Sequence, residues 1–573
     1  MERKFLALMP TLRLPAWVER VYRAMTGLER VVLLTLVALC LGSGVASLLG
    51  FISRNTELIA QDGGVYHEAA VGQPRNLNPI LASANDLDLD MTRLIYSGLL
   101  RHSPTLGLVN DLATNVETSA NQLVYTVSLR SDVTWHDGEP FTADDVVFTI
   151  RSIQTKDYGS PLFNTFQGVT VEKVDDHTVR FSLSKPYPPF LSSLTVGIAP
   201  EHVWSQIAPQ NATLAEQMLK PIGTGPFKFA EIITRRKTGD ITSFRLVRSD
   251  TYFRPRPHLD EIVFTFFSSH EEALQALVAG DADGVGFLPL SMLDQINSRT
   301  RTIHRLLLPQ YFALFFNQQD NEVLTEAAVR AALALATNRQ QIVAEALHGQ
   351  GEALHLPLPP GTIAYDAYTV PDANLDAAKQ NLAEAGWEDR DGDGIREKND
   401  KRLSLTITTT DWPDYVETAR LLQRQWQELG VEVKLEHLGA GAIQQTVIQP
   451  RDYEALLFGH ILPPQPDPYP FWHSTQTRAP GLNLSLFKNE LADKLLEEAR
   501  KATDEGERRE KLQEFQNKIV ELNPAIILYR PYYLFATTNK VRGLALNQGA
   551  LPSDRFNQIE QWHVKVKRVW KEN

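Results

Sequence analysis

Three aspartates at alternate positions are the clearest candidate ligand set in this chain. Asp389, Asp391 and Asp393 lie in the segment Asp-Arg-Asp-Gly-Asp-Gly. Alternating carboxylates followed by glycine are how the first half of an EF-hand loop wraps Ca²⁺. The bidentate glutamate expected at the twelfth position is replaced by Asp400, and a strand is predicted where an EF-hand has its second helix. We therefore expect a surface Asx turn, with calcium at the three aspartates as the alternative.

The chain lacks the short motifs that carry common enzymatic chemistry. No GxxxxGK[ST] loop, HExxH pair or GxSxG elbow occurs, and the single cysteine, Cys40, lies in an apolar run. Nucleotide hydrolysis, zinc-dependent proteolysis and hydrolase acyl transfer therefore lack their residues. We expect a binding protein without a cofactor, apart from the calcium alternative. An enzyme of unrecognised type is the opposing hypothesis.

One segment of about 25 residues places a strand, a turn and a helix in succession. Residues 125–130, Tyr-Thr-Val-Ser-Leu-Arg, alternate apolar and polar side chains as a half-buried strand does. A turn with Trp135 and His136 follows. Thr142 and the two aspartates near it predict a helix start, because a hydroxyl caps free N–H groups and carboxylates favour the positive helix end. We interpret Trp135 and His136 as structural residues of the turn.

This segment resembles the signature of the extracellular solute-binding proteins of the dipeptide/oligopeptide class (family 5), which deliver ligands to ABC transporters. The resemblance covers roughly residues 66–545, nearly the whole soluble part, in the family's order. The other matching segments are 74–79, 94–100, 222–228, 315–317, 328–339, 426–433, 467–468, 508–509 and 525–529. Several matches in one order make chance an implausible explanation.

Strand-like alternation and helix-like periodicity interleave through the soluble part, which indicates an α/β fold. Predicted strands include residues 179–183, 243–247, 261–266, 403–408 and 431–435. Predicted helices include residues 143–155, 271–279, 326–348, 375–385, 414–429 and 489–521.

The resemblance implies a topology that periodicity alone does not give. It is a two-lobed, periplasmic-binding-protein-like clam in which lobe I is discontinuous. By this interpretation lobe I is residues 65–309, with an inserted subdomain near 106–218. Lobe II is residues 310–535, and residues 536–573 return to lobe I.

The charge distribution separates the N-terminal region from the rest. Residues 1–53 hold six Arg and Lys against three Glu, a net +3, so the total of −12 leaves −15 for the remainder. An acidic exterior argues against nucleic acid as a partner and against general adhesion to anionic lipid, although a local basic patch is compatible with it.

An uncharged run of 22 residues, 31–52, predicts a transmembrane helix. At 1.5 Å per residue it spans about 33 Å, enough for the hydrocarbon core of a bilayer. Residues 1–30 carry all six cations of this region, which places them in the cytoplasm by the positive-inside rule. We expect a single-pass protein of the cell membrane, with residues 53–64 as a linker and the bulk outside the cytoplasm.

Two other interpretations of the apolar run stay open. Cys40 could be the acylated residue of a lipoprotein, although Leu39 precedes it where Gly, Ala or Ser is usual and the apolar run continues for twelve more residues. A cleaved signal peptide is the second alternative, although no small-x-small cleavage site follows Ile52.

The resemblance also implies where a ligand binds, in a cleft between the lobes. The first-lobe contact corresponds here to Ser83, Asn85 and Asp86. The second-lobe contact is the segment before the Asp-Pro pair, which would pair with an extended ligand like an added strand. The candidate residues in lobe II are Tyr311, Trp412, Phe458, Gly459, His460, Ile461 and Asp467.

One departure from the peptide-binding members concerns the ligand's ammonium group. Those members place an aspartate about three residues before the Asp-Pro pair, and this chain has Pro464 there. A buried ammonium without a partner is costly, so the departure weakens a peptide as the ligand. Asp467 does not simply replace the missing aspartate. For His460, a lone histidine, a metal role has little support.

The resulting prediction is a monomeric, membrane-anchored substrate-binding component of an ABC-type importer. Its partners would be a peptide or peptide-like solute and the permease subunits of the transporter. The alternatives are a ligand sensor or envelope interaction module on the same scaffold, and the binding of a non-peptide solute such as a metal chelate.

Overall fold

The computed structural model describes residues 16–82, 85–103, 107–187, 189–362, 372–463, 465, 467–545 and 547–571. The chain forms two compact units. The small unit contains the two chain ends, up to Gln61 and from Lys565, and the large unit contains residues 62–564.

The strands are numbered here in chain order. They are β1 Thr56–Gln61, β2 Val65–Val71, β3 Leu100–Ser103, β4 Gly107–Asn110, β5 Ala113–Thr118, β6 Val124–Leu129, β7 Val169–Asp175, β8 Thr178–Leu183, β9 Phe227–Thr234, β10 Ile241–Arg248, β11 Glu261–Phe267, β12 Gly284–Val285, β13 Arg301–Leu307, β14 Gln310–Phe316, β15 Gly351–Ala353, β16 Glu397–Lys398, β17 Lys401–Arg402, β18 Ser404–Thr410, β19 Glu432–Leu438, β20 Ala455–Ile461, β21 Ala525–Thr538 and β22 Lys565–Trp570.

The α-helices of seven or more residues are numbered in the same way. They are α1 Ala16–Ala24, α2 Gly27–Asn55, α3 Asp86–Ile95, α4 Ala143–Gln154, α5 His270–Ala279, α6 Ala327–Ala336, α7 Arg339–Glu345, α8 Leu375–Glu384, α9 Pro413–Gln427, α10 Glu490–Lys501 and α11 Glu505–Leu522. Shorter helices of one turn are Phe163–Phe166, Phe190–Ser193, Glu201–Trp204, Ala440–Ile443 and Tyr469–Trp472.

The small unit contains the apolar helix α2 and a two-stranded antiparallel sheet. Thr26 caps α2 in a capping box with Glu29, and no residue of α2 is buried. Strand β1 follows α2 directly and pairs antiparallel with β22, with Thr56 opposite Trp570 and Gln61 opposite Lys565. The predicted linker 53–64 therefore contains the end of a helix and a paired strand. The pairing partner lies about 500 residues away in sequence, so local pattern gave no sign of it.

Lobe I and lobe II each have a central sheet, and β21 belongs to both. The lobe I order is β21-β12-β2-β11-β10-β9, with β13 also paired to β21. The lobe II order is β19-β18-β20-β14-β21, with β15 also paired to β21. The first residues of β21 pair with β14, and residues 532–538 pair with β13. The chain thus crosses between lobes twice, between β13 and β14 and along β21. By these pairings β2, β9–β13 and residues 532–538 of β21 belong to lobe I, and β14, β15, β18–β20 and residues 525–531 of β21 belong to lobe II. The lobe bounds 65–309 and 310–535 stay a prediction.

The inserted subdomain is an antiparallel sheet of order β5-β6-β8-β7 with α4 packed against it. Its apolar residues and those of lobe I form one continuous core, which includes the buried Trp135, Trp204 and Trp562. Lobe II has apolar cores on both faces of its sheet.

The signature turn holds three of the matching sequence segments together. Trp135 is buried, and its Nε1 donates to the Asp145 carboxylate, 3.3 Å away, at the start of α4. His136 Nδ1 accepts the Gly223 N–H at 3.2 Å, so its Nε2 carries the proton and donates to the Gly225 carbonyl at 3.0 Å. A Cβ at Gly223 or Gly225 would collide with the carbonyl of Ile95. Trp135 and His136 therefore have structural roles.

Two of the predicted helices are too long, because the structure has two shorter helices in place of each. The predicted 326–348 helix is α6 and α7, and Asn338 caps the second by accepting the N–H of Gln341. The predicted 489–521 helix is α10 and α11, with Asp504 as the cap of the second. In both cases the side chain of Asn or Asp competes with the helical backbone for hydrogen bonds and begins a new helix instead of continuing the old one.

Candidate ligand-binding cleft

A cavity of about 820 Å³ lies between the two lobes; we call it the main cavity. The lobe I wall is built from the end of β2, the first turn of α3, the segment after β12 and residues 550–555. The lobe II wall comes from Phe312, the segment between β18 and α9, and the end of β20. Leu308, Gln310 and residues 529–534 of β21, where the chain crosses between lobes, complete the lining.

A buried ionic group forms part of the lobe I wall. Arg555, 1 % exposed, places Nη2 2.7 Å from Glu68 Oε1 and 2.6 Å from Asp90 Oδ2. The guanidinium also stacks over the ring of Phe556. Burial raises the pKa of Asp90 to about 6 although Arg555 opposes the shift. The three residues come from β2, α3 and the C-terminal segment, so the tertiary fold alone brings them together.

Two glycines are required beside this ionic group. A Cβ at Gly286 would lie 2.6 Å from Arg555 Nη2, and one at Gly284 would collide with the Tyr66 hydroxyl. Tyr66 in turn donates its hydroxyl hydrogen to Glu68. Glycine at both positions allows the backbone to approach these side chains closely, which a residue with a Cβ would prevent.

Aromatic side chains connect the two lobes at the cavity. Phe287 of lobe I lies 6.4 Å from the ring of Trp412 in lobe II and 5.6 Å from Tyr533 on the crossing strand. Trp412 is 41 % exposed, and its Nε1 donates to Asp414 at 3.2 Å. Phe312, stacked on Tyr529, adds a further apolar surface. These rings offer flat surfaces against which a ligand can pack.

Five of the predicted contact residues line the main cavity. Asn85 caps α3 by accepting the N–H of Leu87, and Asp86 is the first residue of that helix. In lobe II, Trp412, Phe458 and Ile461 line the cavity. Ser83 lies outside the described residues.

Tyr311, Gly459 and His460 lie behind the lobe II wall and are not on it. The Tyr311 hydroxyl accepts from Trp472 Nε1 at 3.2 Å and donates to His460 Nδ1 at 2.8 Å. Burial lowers the pKa of His460 to about 3, so its imidazole is neutral. Gly459 leaves room for the ring of Phe312, which a Cβ would meet at 2.7 Å.

Asp467 is buried in an ion pair away from the main cavity. Arg500 Nε donates to both of its carboxylate oxygens, at 3.0 and 3.1 Å, and the guanidinium lies 3.8 Å from the ring centroid of Tyr469. A carboxylate held in this way is not free to pair with a ligand's ammonium. Pro464, the departure from the peptide-binding members, lies outside the described residues.

The acidic loop forms its own backbone hydrogen bonds. The Asp389 carboxylate accepts the N–H groups of Gly392 and Gly394, at 2.8 and 3.1 Å, and Asp391 accepts the N–H of Asp393 at 3.1 Å. Asp393 pairs with Arg402 at 2.7 Å. One carboxylate oxygen from each of the three aspartates lies within 4.8 Å of the others. The segment has the geometry of consecutive Asx turns, and calcium there stays a prediction.

Several cavity residues had no sequence signal. Arg555 lies in a segment without a recognisable motif, and Glu68 and Asp90 lie in a strand and a helix that pattern alone assigns to packing. Asp411 and Asp414 lie next to the predicted Trp412, between a strand and a helix. This position was the one indication in the sequence that they line the cavity.

The main cavity is acidic. Five carboxylates line it, Glu68, Asp86, Asp90, Asp411 and Asp414, against one guanidinium, Arg555. Because lobe I and lobe II both contribute carboxylates, a cation between the walls is attracted by both. The arrangement suits a ligand with a positive charge and apolar groups.

The comparisons with known proteins all find bacterial solute-binding proteins. The profile of "Bacterial extracellular solute-binding proteins, family 5 Middle" matches residues 107–483. The oligopeptide-binding protein AppA of Bacillus subtilis is 32 % identical over 515 residues, covering 88 % of this chain and 92 % of AppA.

Solved structures are similar across nearly the same span. AppA in complex with a nonapeptide has a TM-score of 0.69 at 30 % identity, covering 88 % of this chain and 100 % of AppA. The ABC transporter substrate-binding protein CtaP of Listeria monocytogenes has a TM-score of 0.77 at 26 % identity, with 88 % and 100 % covered. NikZ of Campylobacter jejuni with Ni(L-His) has a TM-score of 0.71 at 25 % identity, with 87 % and 99 % covered.

Proposed function

We propose a transport function from one premise: the chain belongs to the family 5 bacterial extracellular solute-binding proteins. That membership confirms the resemblance found in the sequence, and the similar structures confirm the two-lobed α/β fold. On this premise the chain is the substrate-binding component of an ABC-type importer. It captures a peptide or peptide-like solute in the main cavity and does no chemistry on it.

The observation that carries the proposal is the main cavity itself. Its walls come from two lobes that are joined by two crossings of the chain, so a ligand between them contacts both. Such a ligand binds the closed arrangement more tightly than the open one and shifts the population towards closure. A cavity of about 820 Å³ is within the range of small-ligand sites and suits a short peptide.

The acidic walls offer partners for a peptide's ammonium group despite Pro464. Asp86 on lobe I and Asp411 on lobe II are exposed to the cavity. Asp467 is already paired with Arg500. We therefore assign the ammonium to the carboxylates of Asp86 and Asp411.

The helix α2 supports anchoring of the receptor in the membrane. The described residues contain one helix that is long and apolar enough to cross a bilayer, Gly27–Asn55, and none of it is buried in protein. At 1.5 Å per residue it is about 43 Å long. The β1–β22 pair adds a second connection, because it ties the C-terminal strand to the outer end of this helix. An uncleaved anchor, residues 31–52, is the proposal, against a cleaved signal peptide or a lipid on Cys40.

Anchoring is tested by the mass and the thiol of the mature protein in membranes. An uncleaved anchor predicts an intact N-terminus and an unmodified Cys40 in the membrane fraction. A mature protein that begins at Cys40 and carries lipid, or one released into the soluble fraction without residues 1–52, would replace this part of the proposal.

A metal chelate is the second candidate ligand, because NikZ is a structural neighbour bound to Ni(L-His). The cavity lining includes one histidine, His270, near the ring of Phe287. A chelate that brings its own ligands needs few from the protein. Calorimetry with nickel and excess histidine, beside histidine alone, distinguishes this candidate from a peptide.

The decisive experiment uses the full chain in lipid nanodiscs and isothermal titration calorimetry. Alanine peptides of three to nine residues, with a free or an acetylated N-terminus, are the probes. We expect binding with a negative heat-capacity change, weakened at least tenfold by acetylation, since a charge-assisted hydrogen bond is worth about 1.5–3 kcal/mol.

Variants of the two carboxylates locate the ammonium. D86N and D411N should each lower the affinity for the free peptide about tenfold and leave the acetylated peptide unchanged. Glu117, an exposed carboxylate of the inserted subdomain, provides the matched control E117Q. Peptide that is consumed, or no binding by any peptide or chelate, would end the proposal.

A further inference from the structure

The small unit carries an exposed two-stranded sheet at the end of α2; we call β1 and β22, Thr56–Gln61 and Lys565–Trp570, the terminal ribbon. No loop separates β1 from α2, and the N–H of Lys571 donates to the carbonyl of Asn55, the last residue of α2, at 2.8 Å. One end of the ribbon is therefore fixed to the helix. The inference that follows deepens the proposed anchoring and rests on it, because it concerns what the ribbon meets at the membrane surface.

The terminal ribbon and the residues beside it are basic in a chain that is otherwise acidic. Of residues 54–61 and 565–571, all of them described, Glu57 is the one carboxylate. None of the cations in these two segments forms an ion pair with a described residue, and Arg568 Nη1 donates to the Thr56 hydroxyl at 2.9 Å. The charge is therefore available to an external anion. The five exposed cations are Arg54, Lys565, Lys567, Arg568 and Lys571.

Large apolar side chains are exposed on the same ribbon. Leu58 is 43 % exposed and Trp570 is 61 % exposed. The ring centroid of Trp570 lies 6.2 Å from that of Phe51, a residue of the apolar run in α2. Because Thr56 is opposite Trp570 and Leu58 is opposite Arg568, strand alternation places Leu58, Arg568 and Trp570 on one face. This face combines an aromatic ring, an aliphatic chain and a guanidinium.

The position of the ribbon along the chain brings this face to the lipid headgroups. Thr56 follows Ile52, the end of the uncharged run, by four residues, which is about 6 Å along a helix. The headgroup layer on one side of a bilayer is about 5–8 Å thick. Tryptophan is enriched at this depth because its ring is apolar and its N–H is polar. The first residue pair of the ribbon therefore lies within the headgroup layer if α2 spans the membrane.

The cations of β22 are compatible with an orientation that keeps residues 1–30 in the cytoplasm. The positive-inside rule counts charges close to a transmembrane helix in sequence, and long domains are translocated largely regardless of charge. Lys565 follows the helix by about 500 residues, so folding of the translocated domain, and not insertion of the helix, brings these cations to the outer surface.

We propose that the terminal ribbon binds anionic phospholipid headgroups on the outer surface of the membrane that α2 crosses. The lysines and arginines of β22 contact the phosphates. Trp570 and Leu58 pack at the boundary between the headgroups and the acyl chains. A two-stranded sheet by itself is only marginally stable in water, so contact with lipid also stabilises the pairing of β1 with β22.

The test is amide hydrogen exchange, followed by mass spectrometry, of the full chain in two kinds of lipid nanodisc. One contains phosphatidylcholine alone, and the other an equal mixture of phosphatidylcholine and phosphatidylglycerol. We expect the amides of β22 to exchange at least about tenfold more slowly in the anionic discs, because each Lys or Arg near an anionic surface adds attraction. High salt should remove the difference, because it screens exposed charges.

Charge variants of β22 identify the groups responsible. K567Q/R568Q/K571Q should exchange equally fast in both lipids. K567R/R568K/K571R, which keeps the charge, should retain the wild-type difference and so separates loss of charge from damage to the ribbon. In discs with brominated acyl chains, the emission that W570F removes from the wild-type spectrum should be quenched, since Trp570 lies next to those chains.

The matched control is R235Q/R236Q/K237Q, the same change of charge in the exposed turn between β9 and β10. It should leave the exchange of β22 as in the wild type. Loss of the lipid effect in this control would mean a general attraction of the receptor to anionic lipid and would overturn the proposal. Equal exchange of wild-type β22 in both lipids would also overturn it and leave a protein partner, such as a permease subunit, as the occupant.

The same preparation separates failure of the ribbon from failure of the anchor. A chain that elutes with both kinds of disc but lacks the lipid effect keeps its anchor and loses the ribbon proposal. A chain that elutes with neither has no anchor, and the ribbon proposal falls with it. The measurement needs no peptide, so its outcome is independent of which solute the main cavity binds.

Discussion

The two walls of the main cavity treat buried polar groups in opposite ways. On lobe I, the ionic group of Arg555, Glu68 and Asp90 is buried and part of the cavity lining. On lobe II, the hydroxyl of Tyr311 is bonded to His460 and Trp472 behind the wall, out of the ligand's reach. Burial alone therefore does not identify the residues that line the main cavity. What matters is whether the buried group faces the space between the lobes.

The electrostatics follow the same division. The lobe I wall contains buried ionic groups that have lost contact with solvent, and this burial raises the pKa of Asp90 to about 6. Lobe II keeps a neutral histidine in an apolar core, which is why the pKa of His460 is lowered to about 3. The lobe I wall therefore places buried charge beside the main cavity. The lobe II wall contributes apolar surface and the exposed Asp411.

The largest expected effect on the free energy of unfolding is that of R555M, a substitution in the lobe I wall. It leaves two carboxylates buried without their cation, and breaking a buried pair in this way costs about 3–5 kcal/mol of unfolding free energy. Urea unfolding followed by circular dichroism measures this. R256M is the matched control, because Arg256 is 56 % exposed in its ion pairs and a surface pair is worth about 0–1 kcal/mol.

The same experiment has a rescue arm. E68Q and D90N added to R555M remove the uncompensated charges and should restore most of the lost stability. A cost below about 1 kcal/mol for R555M alone, or a triple variant no more stable than R555M, would contradict the view that charge in this wall is paired and desolvated.

The second largest expected loss of stability is that of Y311F, a substitution behind the lobe II wall. Loss of the hydroxyl leaves His460 Nδ1 and Trp472 Nε1 buried without partners, at about 1–3 kcal/mol. Because Tyr311 does not line the main cavity, the affinity for a bound peptide should stay within twofold of wild type. A loss of affinity without a loss of stability would place Tyr311 in contact with the ligand and reverse the comparison.

The sequence predicted some of these features and missed others for identifiable reasons. Both segments that the resemblance implied reach the main cavity, where Asn85, Asp86, Phe458 and Ile461 line it together with Trp412. That these residues bind a ligand stays a prediction. The resemblance did not separate residues on the wall from those behind it. Alternation along β20 does not make this division either, because Phe458 and His460 share one face of the strand and of these two Phe458 alone lines the main cavity.

Long-range pairings were beyond local pattern. Arg555 meets Asp90 across 465 residues of sequence. The strand β1 forms by pairing with β22, which is distant in the sequence. Residues 53–64 taken alone therefore predict a linker. Periodicity predicted four strands of the central sheets, β10, β11, β18 and β19, to within a few residues, since these carry a strong alternation of their own. Short interruptions at Asn338 and Asp504, which divide two predicted helices, are weaker signals than the apolar periodicity around them.

The third effect is the pH dependence that His460 gives to lobe II. Its pKa is about 3 in the folded protein against 6.5 for the ordinary residue, so between these values the unfolded chain binds a proton that the folded chain does not. Stability is therefore lost as pH falls below about 6.5, by about 1.4 kcal/mol per pH unit for this one group. In H460Q the slope of unfolding free energy against pH, between pH 4.5 and 6, should decrease by one proton.

The control for the pH measurement is H177Q, which makes the same change at an exposed histidine. It should leave the slope unchanged. If H460Q has the wild-type slope, His460 is not the neutral buried group that the lobe II wall requires.

The smallest effect concerns the acidic loop, which lies apart from both walls. We expect no calorimetric heat with Ca²⁺ up to about 1 mM and a loss of at most about 1 kcal/mol in D393N, whose partner Arg402 is a surface cation. The physical reason is that Ca²⁺ requires six to eight oxygens, while the three aspartates already accept backbone N–H groups and Arg402 competes for one of them. A saturable heat at one Ca²⁺ per chain that disappears in D391N would instead establish a metal site. The carboxylates of the loop would then resemble those of the lobe I wall, held in place for a cation rather than for the backbone.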